Sequence, residues 1–206
     1  MAAILSDDEK RQIIEGKTSG DRICAYGITH YRYDDCPEQD LAEYGDYKLH
    51  KDCLNAFLKM QTAAKEDNLN LEIVSAYRSS KYQIEVFKRK FTSDIPSDED
   101  FKARLKYSAP SGFSEHHTGL ALDINSTEEE FEQTPEFWWL VGRAAKYGFE
   151  MSFPENNSQG LGYEPWHWRY VGVRGEYNKV FETAKLNDEK SQINIAKNTI
   201  YHQGNL

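Results

Sequence analysis

Apolar residues recur at helical spacing in some stretches and in short unbroken runs in others. Leu49, Cys53, Phe57, Met60 and Ala64 are three or four apart and predict a helix over about 49–67. The polar Glu66-Asp67-Asn68 closes it, and the run 71–74 predicts a strand. Ile84, Phe87 and Phe91 form one face of a helix that Ser79 or Ser80 caps. Ser97-Asp98-Glu99-Asp100 opens another, ending near Tyr107, and Ala109-Pro110-Ser111-Gly112 makes a turn. Ser6-Asp7-Asp8-Glu9 is a capping box for a short N-terminal helix, with Gly16 as its stop. Thr134-Pro135 starts a helix whose expected apolar face is Trp138, Val141, Ala144 and Ala145, and Gly148 ends it. Strands are expected over 120–124, 149–153 and 168–171, and a helix over 174–186. Residues 17–46, rich in Gly, Asp and Tyr, are expected to form an irregular arm.

Helices and strands mix without a regular βαβ rhythm. This predicts an α+β single domain with a small central antiparallel sheet flanked by helices. The expected layout is an N-terminal helix and arm over 1–46, the main domain over 47–186, and a polar tail over 187–206. Composition narrows the function. The formal net charge of −9 disfavours nucleic acid and anionic membrane as partners, and no basic stripe offsets it. No run approaches transmembrane length and no apolar leader core is present, so a cytoplasmic protein without an integral membrane segment is expected. Cys24, Cys36 and Cys53 lack C-x-x-C spacing, which argues against a thiolate zinc site. Free thiols are expected, with a Cys24–Cys36 disulfide as the alternative.

The chemistry concentrates in Ser114-Glu115-His116-His117-Thr118-Gly119-Leu120-Ala121-Leu122-Asp123 and in Glu164-Pro165-Trp166-His167. A catalytic zinc takes three protein ligands and keeps one position open. His116, Asp123 and His167 could supply those ligands, with Glu164 left as a general base. Gly119 permits a tight turn between His116 and Asp123, and Pro165 argues against a helix between Glu164 and His167. Taken alone, each of these residues is more often structural than catalytic, so spacing by itself favours two surface histidines with solvated carboxylates. Strand alternation puts His167 and Arg169 on one face, and Trp166 and Trp168 on the other as core. Phe113 and Tyr163 are the expected pocket walls.

The pattern S-x-H-x-x-G-x-A-x-D followed by E-x-W-H resembles the zinc D-alanyl-D-alanine carboxypeptidases of the VanY kind. Their relatives include L,D-carboxypeptidases, VanX-type dipeptidases and some phage endolysin peptidases. Two further stretches are similar to that family: Ser75-Ala76-Tyr77-Arg78-Ser79-Ser80-Lys81-Tyr82-Gln83, and Ala145-Lys146-Tyr147-Gly148-Phe149. The resemblance spans about residues 71–173. It implies zinc held by His116, Asp123 and His167, with Glu164 as catalytic base. It also implies Arg78 at the substrate carbonyl or carboxylate, and Gln83 and Ser114 as substrate contacts. His117, where many relatives hold Gln, is expected to be a neighbour of the site and not a ligand.

The implied reaction removes the C-terminal D-Ala from a peptidoglycan stem peptide or muropeptide. It would be D,D-carboxypeptidase action on pentapeptides or L,D-carboxypeptidase action on tetrapeptides. The rival readings are a phage-type endolysin peptidase and a catalytically inactive peptide-binding relative. The polar tail is short for a wall-binding module, and all four metal and base positions are filled.

Overall fold

In a computed structural model of the protein, the residues described are 3–182. Helix α1 (Asp7–Ile14) begins at the expected capping box. The Ser6 N–H donates to Glu9 Oε2 at 2.8 Å, and the Glu9 N–H donates back to Ser6 Oγ at 3.4 Å.

The segment 17–46 is not irregular. It contains the hairpin β1 (Arg22–Ala25) and β2 (Ile28–Tyr31), and begins a second hairpin, β3 (Leu41–Tyr44) and β4 (Tyr47–His50). The strands are four residues long, too short for alternation to stand out, and each pair is joined by a two-residue loop. Tyr26 and Gly27 both have positive φ, the mark of a type I′ turn, yet Tyr-Gly is a weak signature for it. Leu49 belongs to β4, so α2 (Lys51–Glu66) starts after it, with the His50 side chain accepting from the Asp52 N–H as cap. Cys53, Phe57, Met60 and Ala64 are its buried stripe, as expected.

Next come β5 (Ile73–Ser75), α3 (Ser80–Lys88) with Ser79 as cap, and α4 (Asp98–Tyr107) with Ser97 as cap. The buried strand β6 (Ala121–Ile124) is followed by α5 (Pro135–Arg143), β7 (Phe149–Met151) and β8 (His167–Tyr170). The sheet runs β5-β6-β8-β7 with every neighbour antiparallel. Helices flank it, giving the expected α+β single domain.

The predicted face of α5 is corrected. Trp138 and Val141 are 64% and 51% exposed, while Phe137, Trp139 and Leu140 are buried. The run Phe137-Trp138-Trp139-Leu140-Val141 carries two overlapping helical stripes. The larger core takes up Phe137, Leu140 and Ala144, and the Trp139 indole N–H donates to Asp67 at 2.7 Å.

Two cores form. The larger lies between the sheet, α2 and α5, around Phe57, Met60, Leu122, Leu140 and Trp168. The smaller joins α1, the first hairpin, α3 and α4, around Ile23, Phe87, Phe101 and Phe113. Each fully buried large side chain contributes about 1.5–3 kcal/mol. The site lies in the cleft between these cores. Cys24, Cys36 and Cys53 are all free thiols, so the Cys24–Cys36 bridge is not made. The expected helix over 174–186 is helical over 178–182. Residues 174–177 form turns instead of helix, and 183–186 and the polar tail lie outside the described residues. Among those described, no helix is long and apolar enough to cross a membrane.

Candidate metal centre

Three elements converge on one point. A 3₁₀ turn, Glu115–Thr118, carries His116; the Ser114 hydroxyl caps it by accepting from the His116 N–H at 3.3 Å. Gly119 ends this turn with φ +67°, and a Cβ there would sit 2.9 Å from the backbone nitrogen of His50. The reversal that returns the chain as β6 therefore requires glycine. On β6, Asp123 stands directly opposite His167 of β8. His167 closes a turn in which its N–H donates to the Glu164 carbonyl at 3.1 Å, and Pro165 takes the second position of that turn.

His116, Asp123 and His167 each offer one donor atom, and these atoms lie within 4.8 Å of one another. Asp123 sits between the imidazoles, 3.4 Å from His116 Nε2 and 3.0 Å from His167 Nδ1. All three residues are buried, and the rings meet edge to face at 4.9 Å. His116 Nδ1 is buried with no hydrogen-bond partner among the described residues. Two imidazoles and one carboxylate at this spacing fit a divalent transition metal of the zinc type, with the cleft side open.

Burial works to raise the Asp123 carboxyl, but contact with His116 and His167 outweighs it and holds the group well below the carboxylate range. Burial, reinforced by Arg78, lowers His116 to about 4, so its ring is neutral and has a lone pair to give. Burial disfavours charge on His167 too, but the bonds to Asp123 and Glu115 win and raise it to about 10. Metal binding must therefore displace a proton from His167.

Glu115 is a candidate site residue that the sequence does not single out. It is 3% exposed, yet it meets His167 Nε2 at 3.1 Å and accepts from Arg169 Nη1 at 2.8 Å and Ser152 Oγ at 2.5 Å. Burial would raise this carboxyl; Arg169 and His167 override that and depress it. Engaging Nε2 leaves Nδ1 of His167 facing the centre, the role of an outer carboxylate at a metal-binding histidine. The available signal was alternation, which put His167 and Arg169 on one face: both turn to Glu115. Its position beside His116 hid its role, because a carboxylate inside a tight turn reads as solvent-facing.

The cleft, about 600 Å³, is lined by Arg78, Gln83, Ser114 and Glu164 as well as by the cluster. Glu164 Oε2 is 3.9 Å from His167 Nδ1, and burial raises its carboxyl to about 7, with Asp123 and Glu115 adding to the rise. Arg78 keeps its charge although burial lowers its pKa, and its Nε has no partner among the described residues. Gln83 is 1% exposed; Nε2 donates to the Ala109 carbonyl, while Oε1 is buried and has no partner among the described residues. His117 stays outside the cluster. Phe113 lines the cleft as expected, and Trp168 lies in the core. Trp166 packs against that core and also walls the cleft, whereas Tyr163 is not among the described lining residues.

A family model described as VanY D-alanyl-D-alanine carboxypeptidase matches residues 46–173. The chain belongs to this family. It is 37% identical over 119 residues to a D-alanyl-D-alanine carboxypeptidase of Enterococcus faecium, covering 47% of this chain and 39% of that protein. The chain thus spans less than half the length of that curated relative. Its fold is similar to that of the LdcB LD-carboxypeptidase, with TM-score 0.57 and 29% identity, over 73% of this chain and 71% of the other. It also resembles the vancomycin-resistance D,D-pentapeptidase VanY of a VanB-type cassette, a structure in complex with Zn(II). There the TM-score is 0.56 at 24% identity, over 71% of this chain and 88% of the other.

Proposed function

We propose that this VanY-family chain is a zinc carboxypeptidase that removes D-Ala from the C-terminus of peptidoglycan stem peptides. The observation that carries the reading is the buried His116–Asp123–His167 cluster, with Glu164 and Arg78 in the same cleft. The Zn(II) in the VanY structure of similar fold supports the choice of metal. Zinc held by these three residues would supply Lewis-acid polarisation of water and of the scissile carbonyl.

The chain's own residues do the rest. Glu164, raised to about 7, is poised to take a proton from the attacking water and return it to the leaving amine. Arg78 places a fixed cation in the cleft, suited to developing negative charge or to the two oxygens of a terminal carboxylate. The buried Gln83 Oε1 offers an acceptor to a substrate N–H. Ser114, already the cap of the 3₁₀ turn, presents its hydroxyl on the cleft side. Glu115 keeps His167 turned toward the centre.

D,D-cleavage of pentapeptides is the first reading, supported by the family model and the enterococcal relative. L,D-cleavage of tetrapeptides is the second, supported by the likeness to LdcB. Defined tetra- and pentapeptides given to the zinc-loaded protein separate them. D-Ala from the pentapeptide alone supports the first; release from the tetrapeptide alone overturns it in favour of the second.

A further inference from the structure

His117 is completely buried beside the metal ligand His116, yet it takes no part in the cluster. Its ring is held from both sides. The Gly112 N–H donates to Nε2 at 3.0 Å, so that nitrogen carries no proton. The proton is therefore on Nδ1, which donates to the Arg78 carbonyl at 2.6 Å. The other backbone group of Arg78 is held too: its N–H donates to the His116 carbonyl at 3.3 Å. Arg78 lies after the end of β5 and before the cap of α3, where neither a sheet ladder nor a helix would satisfy its backbone. Both of its main-chain groups instead end on two consecutive residues of the turn that carries His116. Asp35, 3.7 Å from Nδ1, is occupied by the Ser80 N–H and hydroxyl, each at 2.8 Å, which anchors the start of α3 against the same block.

We propose that His117 is a positioning residue for Arg78: it fixes the backbone of residue 78 against the metal-bearing turn and the Gly112 turn, and so sets where the guanidinium meets substrate. This rests on the proposed role of Arg78 at the substrate. A small displacement of such a group costs up to about a hundredfold in rate. Glutamine can make both bonds, because its amide N–H reaches the Arg78 carbonyl while its oxygen accepts from Gly112. Asparagine, one methylene shorter, reaches one of them. Leucine makes neither.

The test compares His117→Gln, His117→Asn and His117→Leu in the full chain, in the native and Arg78→Lys backgrounds. D-Ala release, zinc content and thermal midpoint are measured on each. In the native background Leu should lower kcat/KM about 10–100-fold with zinc content unchanged. Gln should restore it to within about threefold, and Asn should fall between. In the Arg78→Lys background, which has lost the planar fork, Leu should add less than about a twofold loss. An equal loss in both backgrounds, loss of zinc parallel to loss of activity, or Gln no better than Asn overturns the proposal. Where Leu gives no cooperative transition, the Gln–Asn contrast decides. Arg78→Lys with native kinetics would instead overturn the role of Arg78 itself.

Discussion

The two sides of one 3₁₀ turn differ sharply. On one side, Glu115 and His116 face the sheet and sit among Asp123, His167, Arg169 and Glu164, a buried network of charges. On the other, His117 hydrogen-bonds to backbone, a carbonyl and an N–H, with the Asp35 carboxylate farther off at 3.7 Å. Adjacent histidines of one local structure thus acquire different chemistry from their partners. Beside carboxylates, an imidazole becomes a candidate ligand; between peptide groups, it becomes a brace.

The largest effect should separate the two histidines by one substitution applied to each. His116→Gln should lose bound zinc and reduce D-Ala release by more than about 100-fold, since even outer partners of a ligand cost 10–100-fold. His117→Gln should keep zinc. Elemental analysis of both variants makes the comparison, and equal zinc contents would break it.

Next in size is Glu164→Gln, expected to lower kcat about 10²–10⁴-fold while zinc stays bound. The pH profile follows the same group. Glu164 gives up its proton as pH rises through its elevated value. Activity should therefore rise with pH, with its acid limb between the ordinary 4.5 and about 7. A limb at or below 4.5 would show that the cleft does not hold this carboxyl as described.

Glu115→Gln tests the charged side of the turn from behind. It should weaken zinc affinity about 10–100-fold by freeing His167 to turn. It should also cost about 3–5 kcal/mol in stability, because Arg169 loses a buried partner. The Glu115 carboxyl is depressed in the folded protein, so its contribution is present above the ordinary value of 4.5 and fades as pH falls below it. The variant should lack that part of the acid sensitivity, read from thermal midpoints across pH. The smallest effect concerns the proton on His167. Zinc binding near neutral pH should release about one proton, measured by calorimetry in buffers of different ionisation enthalpy. No release would mean that the ring is already neutral.

Much of this was legible in the sequence, for identifiable reasons. The stripe Cys53-Phe57-Met60-Ala64 and the caps Ser6, Ser79, Ser97 and Thr134 are local signals with local causes, and they marked real helices. The residues His116, Asp123, His167 and Glu164 stood out because their types and order carry chemistry. The hairpins of the arm did not, because pairing of four-residue strands depends on partners elsewhere. The buried face of α5 differs from the expected one because two stripes compete in one aromatic run, and only the tertiary core decides between them. Glu115 was missed because its partners, Ser152, His167 and Arg169, arrive from β8 and the segment after β7. No spacing rule links them to the turn.

The most direct test is D-Ala release from a defined pentapeptide by the native protein and by Glu164→Gln, with zinc per chain determined on the same samples. About one zinc in each, with D-Ala release at least about 100-fold slower in the variant, is the predicted result. Native-rate release by Glu164→Gln, or release by native protein stripped of zinc, would contradict the assignment of base and metal.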